Sequence, residues 1–122
     1  MTFQKILVYF ALLFFLLFFS SCNEDKKFLE KGNESLKVGN CDEALICFNK
    51  AIETNPKNEE ALIKVGEVLL AKSEYDKSLE SFDAVLKINP ENTEAWNNKG
   101  FIFYTEQRYD KALECFDAVL KI

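Results

Sequence analysis

The chain has 122 residues, room for one domain, and carries a net charge of −5 with 15 basic and 20 acidic side chains. That balance, with no basic run longer than two residues, excludes the phosphate-binding footprint of a nucleic-acid surface. There is no histidine, which removes the usual general base, the usual zinc ligand and any Ser-His or Cys-His nucleophile pair; neither an enzyme nor a cofactor is expected.

The first element is apolar. Lys5 precedes 14 uninterrupted apolar residues, Ile6–Phe19, followed by Ser20, Ser21 and Cys22. This is the order of a secretory signal: a positive start, an apolar run and small residues at a cleavage site. The run is shorter than the roughly 18–20 residues that span a bilayer as a helix. Extending it through Phe3 and Cys22 approaches that length, so an uncleaved anchor is the alternative. Either way, residues 1–21 are an address or an anchor, and 22–24 a tether. The expected location is membrane-anchored and outside the cytoplasm.

From residue 25 the chain repeats itself every 34 residues. Gly32, Gly66 and Gly100 keep this spacing, as do Ala44, Ser78 and Ala112; Phe48, Phe82 and Phe116; Asp42, Asp76 and Asp110; and Pro56 and Pro90. The units are 25–58, 59–92 and 93–122. A fixed period of this size marks a stacked-repeat architecture, a scaffold that more often binds than catalyses, and the helical spacing within the units makes it an all-α solenoid.

Each unit reads as two helices. In the second, Ala61, Leu62, Val65, Leu69 and Leu70 share one helical face, and Leu79, Phe82, Val85 and Leu86 another. These predict helices from about 59 to 72 and from about 76 to 88. Asn89-Pro90 ends the latter, because proline lacks a donor and disfavours helix in the residue before it. The recurring aspartates fall near the start of each second helix, at the positive end of its dipole. The glycines fall inside helices, where each costs about 1 kcal/mol relative to alanine. Their recurrence predicts close helix approach, with the recurring phenylalanines as the knobs that fill the space opposite.

Two resemblances add to this reading. Phe19-Ser20-Ser21-Cys22 resembles the lipobox of bacterial lipoproteins, with Phe19 in place of the usual leucine. That likeness implies cleavage before Cys22 and its lipidation. The repeat resembles the tetratricopeptide family: Trp96, Gly100, Phe103, Tyr109, Ala112 and Phe116 sit at its favoured positions, with Phe28 and Leu62 in the place of Trp96. Lys31, Lys99, Ser35 and Cys41 depart from the pattern, and the first unit departs most.

The family likeness implies a right-handed superhelix of three helical hairpins with a concave groove lined by the first helices. Carried over by position, the groove residues are Leu29, Glu30, Asn33, Leu36, Ile63, Lys64, Glu67, Leu70, Asn97, Asn98, Phe101 and Tyr104. Such a groove suits a peptide or protein segment. Chaperone-binding members clamp an acidic C-terminus with basic and amide side chains. The matching positions here are Leu29, Asn33, Lys64, Glu94 and Asn98; only Asn33 fits, and Glu94 would repel a carboxylate.

The remaining cysteines, Cys41, Cys47 and Cys115, form no C-x-x-C pair and are expected as free thiols. Cys47 and Cys115 lie two repeats apart, too far for a disulfide. At the other end, the third unit reaches Ile122, where the second continues into Asn89-Pro90. Phe103, Phe116, Val119 and Leu120 are therefore expected to lack part of their cover. Truncation, pairing with another copy, or simple tolerance would each account for that. Taken together, the sequence predicts a membrane-tethered interaction module. The alternative is a structural or self-associating envelope component.

Overall fold

A computed structural model describes residues 2–122, save the side chains of Ser20, Ser21 and Cys22. Six helices follow one another: α1 (Phe3–Lys37), α2 (Cys41–Thr54), α3 (Glu59–Ala71), α4 (Tyr75–Ile88), α5 (Thr93–Thr105) and α6 (Tyr109–Leu120). No strand occurs among the described residues. The helices pair as hairpins, α1 with α2, α3 with α4 and α5 with α6, and each hairpin packs on the next through α2–α3 and α4–α5. The first helices α3 and α5 also touch, while α2 and α4 make no comparable contact.

The repeating glycines have a direct physical cause. A Cβ on Gly66 would stand 2.7 Å from the Phe82 ring, and one on Gly100 2.6 Å from the Phe116 ring; Gly32 meets Phe48 in the same way. Real Cβ atoms do not approach so closely, so each hairpin is closed by a ring seated in the slot a glycine leaves. Phe48 and Phe82 are fully buried. Ser78 stands where the other units have Ala44 and Ala112; its buried hydroxyl donates to the Gly66 carbonyl at 2.7 Å, which satisfies it.

The turns repeat as faithfully as the helices. Gly39, Ser73 and Gln107 sit 34 apart, and all three adopt positive φ (79°, 60° and 60°). At each, the following amide reaches back five residues (Asn40 N–H to Ser35, Glu74 N–H to Leu69, Arg108 N–H to Phe103), the Schellman stop of a helix. Only the first copy has the unstrained residue, glycine. The other turn is Asn-Pro-x-Asn, at 55–58 and 89–92. Asn55 and Asn89 are extended, as the residue before proline prefers. Asn58 and Asn92 cap α3 and α5 through Oδ1, each accepting from an amide at 2.9 Å.

The same two loops hold the hairpins together. Asp25 Oδ2 accepts from Asn55 Nδ2 at 2.9 Å and from Asn58 Nδ2 at 3.0 Å. One unit later, Glu59 Oε2 accepts from Asn89 at 3.2 Å and Asn92 at 3.0 Å. Each clamp ties a carboxylate of one first helix to the loop that starts the next. Asp25 itself is 3% exposed.

The departures from the family pattern are local accommodations. Lys99 is largely covered, with its ammonium over the Trp96 ring and paired with Asp83 of α4. Its stem packs while its charge reaches a partner. Ser35 turns its hydroxyl to the Lys31 carbonyl. Cys47 and Cys115 are buried free thiols, and Cys41 is half-buried.

Candidate functional site

Along α1, α3 and α5 the residues expected to line the groove come from the same four positions of each unit. Leu29 and Ile63 are 8% and 7% exposed; they belong to the two buried clusters and can offer only a floor. Asn33, Leu36, Lys64, Glu67, Leu70 and Asn98 are half-buried, and Glu30, Asn97, Phe101 and Tyr104 are open to solvent. Phe101 and Tyr104 retain 54% and 60% of their surface. Tyr104 also meets Tyr109 of α6 edge-on, 5.6 Å between ring centroids.

The charge at the middle of this surface is arranged around Lys64. Its ammonium lies 2.9 Å from Glu67 Oε2. That hydrogen bond holds the lysine above its ordinary range against the opposing pull of burial, and Glu67, Glu94 and Glu60 add to the effect by charge. One cation is thus already engaged by its own neighbours, with two further carboxylates within electrostatic reach.

Burial pushes the Cys115 thiol up, only partly offset by the nearby Lys99, which is opposite to what a nucleophilic cysteine needs. Among the described residues no three acidic or cysteine side chains converge on a point that could hold a metal ion. A shallow apolar depression of about 380 Å³ lies on the last hairpin, lined by Tyr104, Tyr109, Asp110, Ala112, Leu113 and Phe116.

The N-terminal part of α1 is exposed from Phe3 to Phe19. It is the one helix among the described residues long and apolar enough to cross a membrane, by length and composition. A secretory signal near the N-terminus meets the same measure. Cys22, the residue of the expected lipidation, lies outside the described side chains.

The asparagine clamps were missed in the sequence, although a signal for them was present. An acid at 25 and 59 and Asn-Pro-x-Asn at 55–58 and 89–92 share the 34-residue beat.

Three glycine-closed hairpins, stacked one on the next, define an α-solenoid. The tetratricopeptide repeat model matches residues 29–91 and again 66–122, and the chain belongs to that family. Solved structures agree in fold. The crystal structure of MamA superposes with a TM-score of 0.78 at 21% identity, over 80% of this chain and 57% of that one. The first repeat domain of Spaghetti (RPAP3), bound to the HSP90 peptide SRMEEVD, gives 0.76 at 21% over 81% and 79%. The Arabidopsis OM64 repeat domain gives 0.77 at 20% over 82% and 83%. The chain therefore spans little more than half the length of the MamA chain. No curated protein sequence matches it.

Proposed function

We propose that this protein is a membrane-tethered interaction module that holds a peptide or protein segment in the groove of its first helices, as an adaptor or assembly factor. The observation that carries this reading is the exposed pair Phe101 and Tyr104 beside the amides Asn97 and Asn98. Rigid aromatics next to adaptable amides, on a concave face, are the chemistry of a peptide hot spot. The Spaghetti domains, which share the fold, carry a bound peptide.

The ligand differs from that acidic peptide. Of the positions that would grip a C-terminal carboxylate, Leu29 is buried, Lys64 is paired to Glu67, and Glu94 is acidic. Apolar anchors with neutral or basic neighbours suit the groove better. A peptide library selected on the full chain in detergent micelles tests this. Selected sequences should carry apolar or aromatic anchors and tolerate a blocked C-terminus. Tyr104→Ala with Asn98→Ala should weaken them by about 30-fold, the scale of a 2 kcal/mol hot spot, with melting unchanged. Selection of acidic C-termini, or full binding by the double variant, would overturn the reading.

A second reading is self-association through the last hairpin. Tyr109, Leu113 and Leu120 are 57%, 62% and 83% exposed, whereas their counterparts Tyr75, Leu79 and Leu86 are half-buried against α5. The opposite edge, on α1, carries Lys27, Lys31 and Glu34 where α3 carries Ala61, Val65 and Val68. Head-to-tail stacking is therefore disfavoured. The occupant is a second copy joined face to face, a contact that closes as a dimer. Cross-linking in micelles should trap a dimer that Leu113→Glu abolishes; a monomer at every concentration would reject it.

A further inference from the structure

We infer that the repeat stack stands directly on the lipid surface, on its Asn-Pro loop end, with the long axis of its groove parallel to the bilayer. The inference rests on reading residues 3–22 as a membrane segment or lipidation signal, and it holds for either.

The absence of slack comes first. Asp25 is fixed in the fold by Asn55 and Asn58. If the chain is anchored by a lipid on Cys22, only Asn23 and Glu24 lie between anchor and clamp, and the three steps from Cys22 to Asp25 span at most about 11 Å of extended chain. If the N-terminus is retained, α1 runs unbroken from Phe3 into the first hairpin. Phe19 is then about 9 Å along the helix from Asp25. Neither arrangement contains a linker.

The direction of the hairpins does the rest. First helices run away from Asp25 and second helices return. The loops 55–58 and 89–92, and the end of α6, therefore lie level with Asp25, and the clamp at Glu59 keeps the second loop there. The turns at 38–40, 72–74 and 106–108 lie at the far end, about 20 Å away for helices of 13 residues. Lysines at the near end (Lys26, Lys27, Lys57, Lys87 and Lys121) are offset by Glu24, Glu53, Glu60, Glu91 and Glu94. The tether, not a basic patch, sets the contact, which salt should leave intact. Successive units stack sideways, so the groove crosses them along the membrane plane. Its ligand must arrive at the lipid surface, as the membrane-adjacent segment of another anchored protein would.

Fluorophores on single cysteines test the placement in the full chain reconstituted in phosphatidylcholine vesicles with headgroup spin-labelled lipid, in a Cys41→Ser, Cys47→Ala, Cys115→Ala background, with Cys22→Ser added where the N-terminus is retained. Labels at Lys57→Cys and Glu91→Cys should lose most of their emission, and labels at Asp76→Cys and Asp110→Cys little. A flexible glycine-serine insertion between Glu24 and Asp25 should erase the difference. Equal quenching at both ends without the insertion would overturn the inference while leaving the membrane reading intact. Failure of the chain to float with the vesicles would overturn both. Peptide binding enters neither readout, so the groove reading stands or falls separately.

Discussion

Phe82→Ala is expected to lower the stability of the repeat domain by about 3–5 kcal/mol, the cost of emptying a large aromatic site in a rigid core. The ring is fully buried, with Leu62, Ile63, Val85, Ala95 and Ile102 in the same cluster. Those residues come from three helices, so the cavity can collapse only if the hairpins shift against one another. Its Gly66 slot also has no side chain to relax into the space. A domain of this size has about 5–15 kcal/mol in total, so the variant should be partly unfolded at ordinary temperature. Phe116→Ala makes the internal control. It removes the same side chain from the equivalent slot, but Phe116 is already 37% exposed, and less surface returns to water. Urea unfolding followed by circular dichroism compares the two. Equal losses would mean that the ring-in-slot contact within a hairpin, rather than cover from the next unit, sets the energy.

That contrast also shows which part of the fold was legible in advance. A helical hairpin repeated in phase writes each packing rule three times. Glycine opposite phenylalanine could therefore be read as a steric pair, although neither residue alone carries that meaning. The helix limits followed from proline and from apolar spacing. The clamps were harder. Asp25 and Glu59 differ in identity and have surface-type side chains, and their partners lie 30 and 33 residues onward in what reads as ordinary turn chemistry. Only their shared 34-residue beat joins them in the sequence. The positive-φ turn was hidden for a similar reason. Glycine marks it in one copy, but Ser73 and Gln107, which pay strain there, mark it in neither of the others. For the candidate groove, position within the repeat places the side chains on the first helices. It could not separate Leu29 and Ile63, spent on the core, from Phe101 and Tyr104, left open, because burial there depends on which neighbours a given unit has.

Asp25→Ala should cost about 2 kcal/mol, because it deletes two hydrogen bonds to a charged acceptor. The donors Asn55 and Asn58 are half-buried and can turn to water, which keeps the cost at the lower end of the range for charged bonds. The same variant should change the response to acid. Burial alone would raise the Asp25 carboxyl, but the donors Asn55, Asn58 and the Lys26 amide, with the Lys26 charge, outweigh it and hold the group below the usual carboxylate range. The unfolded chain therefore takes up the proton first as pH falls. The stabilisation is complete above the unfolded value, about 3.9, and drains away as pH drops through the lower folded one. Asp42, held low by its hydrogen bond to Lys72, and Glu74, by Lys77, titrate in the same direction. Acid should thus still weaken the variant, with a shallower slope. Unfolding free energies at pH 7 and near pH 3 decide it: the gap between wild type and Asp25→Ala should narrow on acidification, and parallel curves would mean that the clamp is not ionised. The helix α1 runs on unbroken through Asp25 and stays packed on α2, so the reconstituted variant should keep the unequal quenching between the near and far ends of the stack.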